Sequence, residues 1–401
     1  MKILFILTQD LESPLGIGRF WPLARVLAAR GHQVRIAALH SNWPKLTERR
    51  FEREGVRVEY VAPMHVIKTG NQKQYYSTGR LFGVVVSATW GLSRFALSSP
   101  VDIIHVGKPH PMNGIAGLLA ARLKGSTLCV DCDDYEAGSN RFAGGWQQAV
   151  VAFFERRIPC SAKLVTTNTM EMKSKLISWG CSAERIFYLS NGIDLQRFSP
   201  TDPVKIDVLR TQLGLSGKRV VLFSGTLSLP SHPVDLLLQS FVHVLQIYPD
   251  AALLLVGGGE DIQKLMDQSR ALGINQATHF TGRVLPSEVP FYYALAELSV
   301  DPVYDNDAAR ARSPLKLFES WACGVPFVTA PVGDRPYLLS QPPAGMMAKQ
   351  AGDPLALAES IMQILGSKNL AQELRYRGLE RVKQYTWDRL AVQLEQAYQE
   401  L

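Results

Sequence analysis

Continuous apolar runs alternate with amphipathic stretches along the chain. The first run is "KILFILT", and a glycine-containing loop separates it from the helical pattern "WPLARVLAARG" and a second run, "HQVRIAAL". A strand, a glycine loop, a helix and a strand form the building block of a parallel sheet covered by helices. The pattern therefore predicts an α/β domain at the start of the chain.

This alternation continues to residue 195 and then begins again. The first series adds the predicted strands "VDIIHVG", "STLCVDC", "AKLVTTN" and "RIFYLSNGID", and the second contains "RVVLFSG", "AALLLVGGG", "ATHFTGRV", "ELSVDPV" and "VPFVTAPVG". The turn formers of "NGIDLQRFSP" separate the two series. We therefore expect two doubly wound α/β domains, residues 1–195 and 196–385, and an amphipathic last helix, 386–401, that packs back on the first domain.

The composition is typical of a folded globular protein. The chain has 401 residues, 46% of them hydrophobic and 20% charged. The most apolar window, residues 81–97, falls short of the roughly 20 residues that cross a bilayer, and the apolar start lacks a cleavage site. Five cysteines do not form a disulfide framework, and the lone CxxC of Cys129 and Cys132 on a strand predicts core cysteines. A cytoplasmic location is expected.

Positive charge is concentrated in the first half. Residues 1–195 contain 24 Lys and Arg against 15 Asp and Glu, whereas the rest contains 19 against 21. This asymmetry favours an anionic surface or substrate, such as acidic lipid, a phosphorylated carrier or nucleic acid, although the excess could simply aid solubility. No recognition helix or zinc pattern accompanies the charge, so we expect no nucleic-acid partner.

One segment of this basic half, residues 64–97, allows two interpretations. It combines basic and aromatic residues with an apolar stretch: Lys68, Lys73, Tyr75, Tyr76 and Arg80. Such a mixture can rest on an anionic membrane surface. The favoured alternative is a loop followed by a buried helix.

The clearest chemistry lies in "ARSPLKLFESWACGVPFVTAPVG", residues 311–333. Ser313 is a good N-cap and Pro314 suits the first helical position, so a helix is predicted to begin here. Its free amides, its dipole and Lys316 would together suit a diphosphate. Glu319 lies one turn further on the same face, where its carboxylate could accept two hydrogen bonds from a ribose. The alternative is a surface Lys316–Glu319 ion pair, but a helix start beside a buried strand is where α/β ligands bind.

These residues resemble the donor-binding segment of glycosyltransferase family 4, which comprises retaining enzymes of the GT-B fold. In that fold two Rossmann-like, doubly wound domains face a central cleft. Segments in the family's order are similar too: "GIGRFWPLARVLAARGHQV", "LSNGIDLQRFSP", "LLLVGGGED", "HFTGRV" and "YTWDRLAVQLEQAY". The resemblance covers nearly the whole chain.

The resemblance implies a transferase that moves a hexose from a UDP- or GDP-sugar to a hydroxyl of a glycan, a lipid-linked or a small-molecule acceptor. The first domain would hold the acceptor, and the second domain most of the donor. It implies catalytic roles for Asp133, which stands where the family has a histidine, and for Lys316. The implied donor-binding residues are Gly16, Gly18, Gly225, Thr226, His232, Arg283, Ser313, Leu315, Lys316, Leu317 and Glu319.

No cofactor or metal is expected. Asp131, Asp133 and Asp134 are close enough in sequence to suggest a divalent metal, but the family generally needs none. The same acids could instead solvate a loop or cap a helix.

Three positions depart from the family pattern. The family often has a glutamate eight residues before the one matched by Glu319, and here that position is Ala311. Thr226 and His232 stand where an arginine and a lysine are common. Arg310 or Arg312 could replace the first contact, and Arg283 and Lys316 could supply charge to the diphosphate. The main alternative is therefore a catalytically silent GT-B scaffold, and a GT-B epimerase or phosphorylase is a further one.

Overall fold

Two large, mainly parallel sheets organise the chain, which a computed structural model describes over residues 1–12, 16–69, 72–140, 142, 144–199 and 202–401. The side chains of Lys68 and Lys73, which the sequence analysis singled out, lie outside the described part. The described part of the first half contains ten strands: β1 (Lys2–Leu7), β2 (Gln33–His40), β3 (Arg50–Arg53), β4 (Val56–Pro63), β5 (Val66–Thr69), β6 (Gln72–Tyr75), β7 (Ile103–Gly107), β8 (Thr127–Cys132), β9 (Leu164–Thr167) and β10 (Ile186–Tyr188).

Eight of these strands form one sheet in the order β10-β9-β8-β7-β1-β2-β4-β3, in which only β3 is antiparallel to its neighbour. β5 and β6 form a separate antiparallel hairpin. The helices of this half are α1 (Trp21–Ala29), α2 (Thr78–Leu97), α3 (Pro111–Lys124), α4 (Glu136–Ser139), α5 (Gly145–Arg157) and α6 (Met170–Ser178). Apolar side chains of α2 and α3 pack on one face of the sheet, and those of α1 pack on the other.

The second sheet is entirely parallel, in the order β13-β12-β11-β14-β15-β16. Its strands are β11 (Arg219–Ser224), β12 (Ala251–Val256), β13 (Thr278–Gly282), β14 (Leu298–Val300), β15 (Phe327–Thr329) and β16 (Met346–Met347). Its helices are α7 (Pro203–Gln212), α8 (Val234–Ile247), α9 (Ile262–Ala271), α10 (Val289–Tyr293), α11 (Asp307–Arg310), α12 (Leu315–Ala322), α13 (Arg335–Leu339), α14 (Pro354–Gly366) and α15 (Lys368–Val382). The predicted architecture of two parallel-sheet α/β domains is confirmed.

The last helix, α16 (Trp387–Gln399), leaves the second sheet and lies on the first. Trp387, Leu390, Leu394 and Tyr398 are buried among core residues of α1, β1 and β2. These side chains recur every three or four residues, so they form one apolar stripe along the helix. The end of the chain therefore ties the two domains together.

Cys129 and Cys132 are free and fully buried, as predicted for core cysteines. Cys160 and Cys181 form a disulfide, which the sequence analysis did not anticipate from an odd number of cysteines. Disulfides persist mainly in oxidising compartments, so this bond does not favour the predicted cytoplasmic location. Within the described residues, no helix is both long and apolar enough to cross a membrane.

Candidate active site

The start of α12 lies at the junction of the two domains, where Gly18 approaches Leu315 and Asn191 binds Ser313; this junction is the cleft. The helix is not capped as predicted. The helix begins at Leu315, and Pro314 takes the N-cap position without a side-chain hydrogen bond. Ser313 is buried, and its hydroxyl makes no hydrogen bond within the described residues. The prediction that Ser313 is the N-cap is wrong, because Ser313 precedes the N-cap residue Pro314 by one position. Its backbone, and not its side chain, makes the contact that holds it in place. Its carbonyl accepts a hydrogen bond from Asn191 Nδ2 at 3.0 Å.

Lys316 points into a buried charge cluster of the second domain. Its Nζ donates to Asp301 Oδ1 at 2.8 Å and to His232 Nδ1 at 3.2 Å. Arg335 binds the other oxygen of Asp301 through Nε and Nη2, at 3.0 and 2.8 Å. Burial acts to raise the pKa of Asp301, but Lys316 and Arg335 outweigh it and hold that pKa below its usual value. Two cations therefore surround one carboxylate, and the cluster keeps a positive excess.

His232 belongs to the same cluster as a neutral ring. Burial, reinforced by the charges of Lys316 and Arg312, lowers the pKa of His232 well below its usual value. Because Lys316 donates to Nδ1, the proton of the neutral ring lies on Nε2. His232 can therefore donate one hydrogen bond to a ligand without adding charge.

Glu319 does not pair with Lys316. It is half-buried and accepts a hydrogen bond from the hydroxyl of Tyr293 at 3.1 Å, while Lys316 turns to Asp301. Burial raises the pKa of Glu319, against the opposing effects of Arg197, Tyr293 and Lys316. The surface ion pair of the alternative interpretation is absent here, and the carboxylate is held in a fixed, partly desolvated position.

Close backbone contacts shape the second-domain side of the cleft. A Cβ at Gly257 would lie 1.9 Å from the carbonyl oxygen of Gly225, and Gly257 has a φ of +139°. A Cβ at Gly225 would lie 3.6 Å from Lys316 Cε. The contact at Gly225 is an ordinary van der Waals contact, whereas only glycine at position 257 allows the two loops to approach so closely. Thr226 follows as a half-buried residue.

The remaining predicted donor residues differ in how deeply their side chains are buried. The side chain of Leu317 is fully buried in the core of the second domain, so only its backbone can face a ligand. Arg283 follows β13 and is exposed. Leu315 is half-buried at the start of α12.

The first domain reaches this helix through its glycine loop. Residues Gly16–Phe20 form a π-helical turn, and a Cβ at Gly18 would lie 3.3 Å from Leu315 Cδ1. Residues 13–15 of the predicted loop lie outside the described part of the chain. The structure thus brings Gly18 and the start of α12 together across the cleft.

Arg19 anchors this turn, a role that the sequence analysis missed. Its guanidinium is fully buried and binds both oxygens of Asp131, at 2.7 and 2.9 Å. It also donates to the carbonyl of Ser190 and to Asn191 Oδ1. Asp131 is therefore a structural partner of Arg19, not a free member of an acidic cluster.

Asp133 lies on the opposite side of the cleft in a cluster that is rich in carboxylates. The ammonium of Lys108 lies 3.4 Å from Asp133 Oδ1 and 3.3 Å from Asp134 Oδ2, and it also binds Glu136 Oε1. His110 binds the second oxygen of Glu136 at 3.0 Å. Three carboxylates therefore share one lysine.

Burial raises the pKa of Asp133 to about 7; Lys108 opposes this rise, while Asp134 and Asp131 add to it. Asp133, Asp134 and Glu136 are close enough to hold a metal ion. Lys108 already places one positive charge among these three carboxylates. That no metal is required stays a prediction.

The segment around Ala311 joins the two domains. Ala311 is fully buried among core side chains of the first domain, and its carbonyl accepts a hydrogen bond from Thr169 Oγ1 at 3.2 Å. Arg310 is paired with Asp305 on the surface. Arg312 Nε lies 3.7 Å from Asp134 Oδ1 across the cleft. Of the two arginines proposed to replace the missing glutamate, only Arg312 faces the opposite domain.

Two family models match the chain. Residues 16–192 match the model described as a glycosyl transferase 4-like domain, and residues 218–367 match the model described as glycosyl transferases group 1. The first match begins after β1 and covers β2 to β10, and the second covers β11 to β16.

Three curated relatives are 22% to 26% identical to this chain. A GDP-mannose-dependent alpha-(1-6)-phosphatidylinositol monomannoside mannosyltransferase of Mycobacterium tuberculosis is 26% identical over 76% of this chain and 77% of its own. A D-inositol 3-phosphate glycosyltransferase of Corynebacterium diphtheriae is 22% identical over 87% of each chain. Spore coat protein SA of Bacillus subtilis is 26% identical over 52% of this chain, which spans only 57% of that relative.

Solved structures share the fold over the full length. Sucrose-phosphate synthase of Thermosynechococcus elongatus has a TM-score of 0.79 at 19% identity, covering 100% of this chain and 99% of its own. HepE of Anabaena, solved in complex with UDP and glucose, has a TM-score of 0.75 at 21% identity and covers 100% of both chains.

Proposed function

Because the chain belongs to glycosyltransferase family 4, we propose that it is a retaining glycosyltransferase that moves a hexose from a nucleotide-diphosphate sugar to a hydroxyl group. Family membership confirms the resemblance found in the sequence; the reaction of this chain is the proposal. The observation that carries it is the approach of Gly18 to Leu315 across the cleft. A glycine turn and a helix N-terminus that face one space suit a diphosphate.

The second domain would hold the donor. The diphosphate would meet the first-turn amides of α12, the positive excess of Lys316 and Arg335 over Asp301, and the Nε2 proton of His232. The part of the site that holds the diphosphate would also include Gly225, Thr226 and Arg283. Glu319, held by Tyr293, would accept hydrogen bonds from the ribose.

The names of the relatives favour a UDP- or GDP-sugar as the donor. The mycobacterial relative is named as GDP-mannose-dependent, and the HepE structure contains UDP and glucose. The same names suggest acceptors that carry inositol or a lipid. We propose a hydroxyl acceptor of this kind, either lipid-linked or a glycan.

The first domain would present the acceptor beside Asp133. In its ionised form this carboxylate would orient the acceptor hydroxyl and stabilise positive charge on the reacting sugar. The acceptor oxygen would bond to the sugar on the face that the nucleotide leaves, and the hydroxyl proton would pass to the departing phosphate oxygen. Closure of the cleft would exclude water from this step.

A cytoplasmic location, with peripheral contact at the inner membrane face, completes the proposal. The contact is supported by the positive charge of residues 1–195. The Cys160–Cys181 bond is the observation that weighs against this location.

Calorimetric titration with UDP, GDP and ADP tests the donor site, beside Glu319→Ala and the control Glu359→Ala, a residue of α14 whose side chain is 43% exposed. We expect the intact protein and the control to bind one nucleotide, and Glu319→Ala to lose that binding. Failure of the intact protein to bind any of the three would favour the silent scaffold. With the correct donor, the anomeric configuration of the product, read by NMR, tests retention.

A further inference from the structure

Three neighbouring helices on one face of the first domain carry an uncovered apolar surface. On α2, Phe82, Val86 and Trp90 are 72%, 52% and 64% exposed, and their spacing of four residues places them on one side of the helix. The opposite side, which includes Ala88 and Leu92, is buried against the sheet. The helix is thus apolar on two sides, so the prediction of a buried helix holds for the side that faces the sheet and fails for the outer side.

The next two helices repeat this arrangement. On α3, Ile115, Leu119 and Leu123 are spaced by four residues and are 39% to 65% exposed. On α5, Trp146 and Phe153 are 53% and 58% exposed. Because all three helices cover the same face of the sheet, their exposed stripes lie on one outer surface. Apolar patches of this kind on a protein surface mark interaction sites.

The charges around the stripes point to an anionic partner. The described helices α2, α3 and α5 contain six basic residues: Arg80, Arg94, Arg122, Lys124, Arg156 and Arg157. Their only acid is Glu155, which is fully buried and accepts hydrogen bonds from the backbone of Glu136 and Ala137. The guanidinium of Arg94 lies over the ring of Trp90 at 5.4 Å, so a cation and an exposed aromatic ring are presented together.

We infer that the outer surface of α2, α3 and α5 docks on an anionic lipid bilayer. Exposed tryptophan and phenylalanine would enter the interface, while the arginines would contact the headgroups. A second copy of the chain fits less well, because self-association through this surface would bring six cations against six. The inference deepens the proposed function, on which it rests only for the identity of a lipid-linked acceptor.

The surface is connected to the cleft by the helices themselves. α3 begins directly after Lys108 and His110, and α4, which carries Glu136, directly precedes α5. A membrane under these helices would therefore lie beside the domain that carries Asp133. A lipid-linked acceptor could reach the cleft without leaving the bilayer.

Vesicle co-sedimentation of the full chain tests this surface. We expect binding to phosphatidylcholine vesicles that contain roughly one-third phosphatidylglycerol to be at least about tenfold stronger than binding to phosphatidylcholine alone. The double variant Phe82→Ser/Trp90→Ser should lose at least about tenfold in binding. The matched control Val204→Ser/Tyr376→Ser, which removes residues 73% and 67% exposed on the second domain, should bind like the intact protein.

Further measurements separate the alternatives. Nucleotide titration of the same samples should be unchanged by Phe82→Ser/Trp90→Ser, which distinguishes loss of docking from loss of the donor site. The inference is overturned if the intact protein ignores anionic vesicles or if the double variant binds them as the control does. A dimer in lipid-free solution that this double variant abolishes would assign the surface to a second copy instead.

Discussion

Two buried lysines, Lys316 and Lys108, lie on opposite sides of the cleft and have opposite surroundings. Lys316 and Lys108 are equally buried, with 7% of each side chain exposed. Lys316 shares the single carboxylate of Asp301 with Arg335, whereas Lys108 is shared by three carboxylates. The charges around each lysine, and not the lysine itself, therefore decide which ligand each side of the cleft can bind.

The difference in charge supports a division of labour, in which the second domain binds the diphosphate and the first domain binds the acceptor. A surplus of cations at the N-terminus of α12 favours a dianionic diphosphate. A surplus of carboxylates around Asp133 disfavours that ligand and suits a hydroxyl group or a developing positive charge. Substitutions that change one cluster at a time therefore test whether the two sides differ in this way.

The largest effect is expected on stability from Lys108→Met. This change leaves the buried carboxylates of Asp133 and Glu136, and the partly exposed carboxylate of Asp134, without the lysine that they share. Removal of one partner of a buried pair typically costs about 3–5 kcal/mol, so the free energy of unfolding in urea should fall by that amount. The control Lys349→Met, at a lysine 85% exposed, should change it by less than about 0.5 kcal/mol. A loss as small as that of the control would contradict the role of Lys108.

The next effect is expected on activity from Lys316→Met. Loss of one preorganised cation at the leaving diphosphate should lower kcat/KM about a hundredfold, or ~2.7 kcal/mol. Asp301 keeps Arg335 as a partner, so the variant should remain folded by circular dichroism. Lys349→Met again serves as the control. An activity within threefold of the intact protein would remove Lys316 from the donor site.

A smaller effect is expected from Asp133→Asn, which keeps the size of the side chain. We expect kcat to fall at least about tenfold, because the carboxylate would stabilise charge only in the transition state. Nucleotide affinity should stay unchanged, since Asp133 belongs to the carboxylate-rich side. A parallel loss of nucleotide affinity would contradict the division of labour.

The smallest effect is a pH dependence set by the same carboxylate. Burial raises the pKa of Asp133 to about 7, so the ionised form becomes dominant only above neutrality. Activity should therefore rise with pH across about 6–8, and Asp133→Asn should lack this acid limb. The folded chain keeps this proton while the unfolded chain releases it, so the contribution of Asp133 to stability falls as pH rises from about 4 to about 7. An unchanged limb in the variant would assign it to another group.

The architecture could be predicted from the sequence because apolar runs and amphipathic stretches alternate so regularly. The runs that became β1, β11 and β12 are buried on both faces of their sheets, and such strands leave a continuous apolar signal. The short edge strand β3 and the β5–β6 hairpin were not predicted, because mostly polar edge segments give no such signal.

The sequence predicted the candidate site only where the functional residues lie close together within one segment. Lys316 and Glu319 lie on one helix, so their spacing is visible in the sequence. Their true partners, Asp301 and Tyr293, lie 15 and 26 residues away, and this pairing depends on the fold. A usable signal existed nonetheless: Asp301 and Lys108 each directly follow a buried parallel strand, where polar side chains meet the ligand edge of a sheet.

The most direct test of the division of labour is a side-by-side calorimetric titration of Lys316→Met and Asp133→Asn with the nucleotide that the intact protein binds. We predict that Lys316→Met loses at least about tenfold in affinity, because a cation is removed from the diphosphate, while Asp133→Asn binds as tightly as the intact protein. Equal losses in the two variants, or a larger loss in Asp133→Asn, would contradict it.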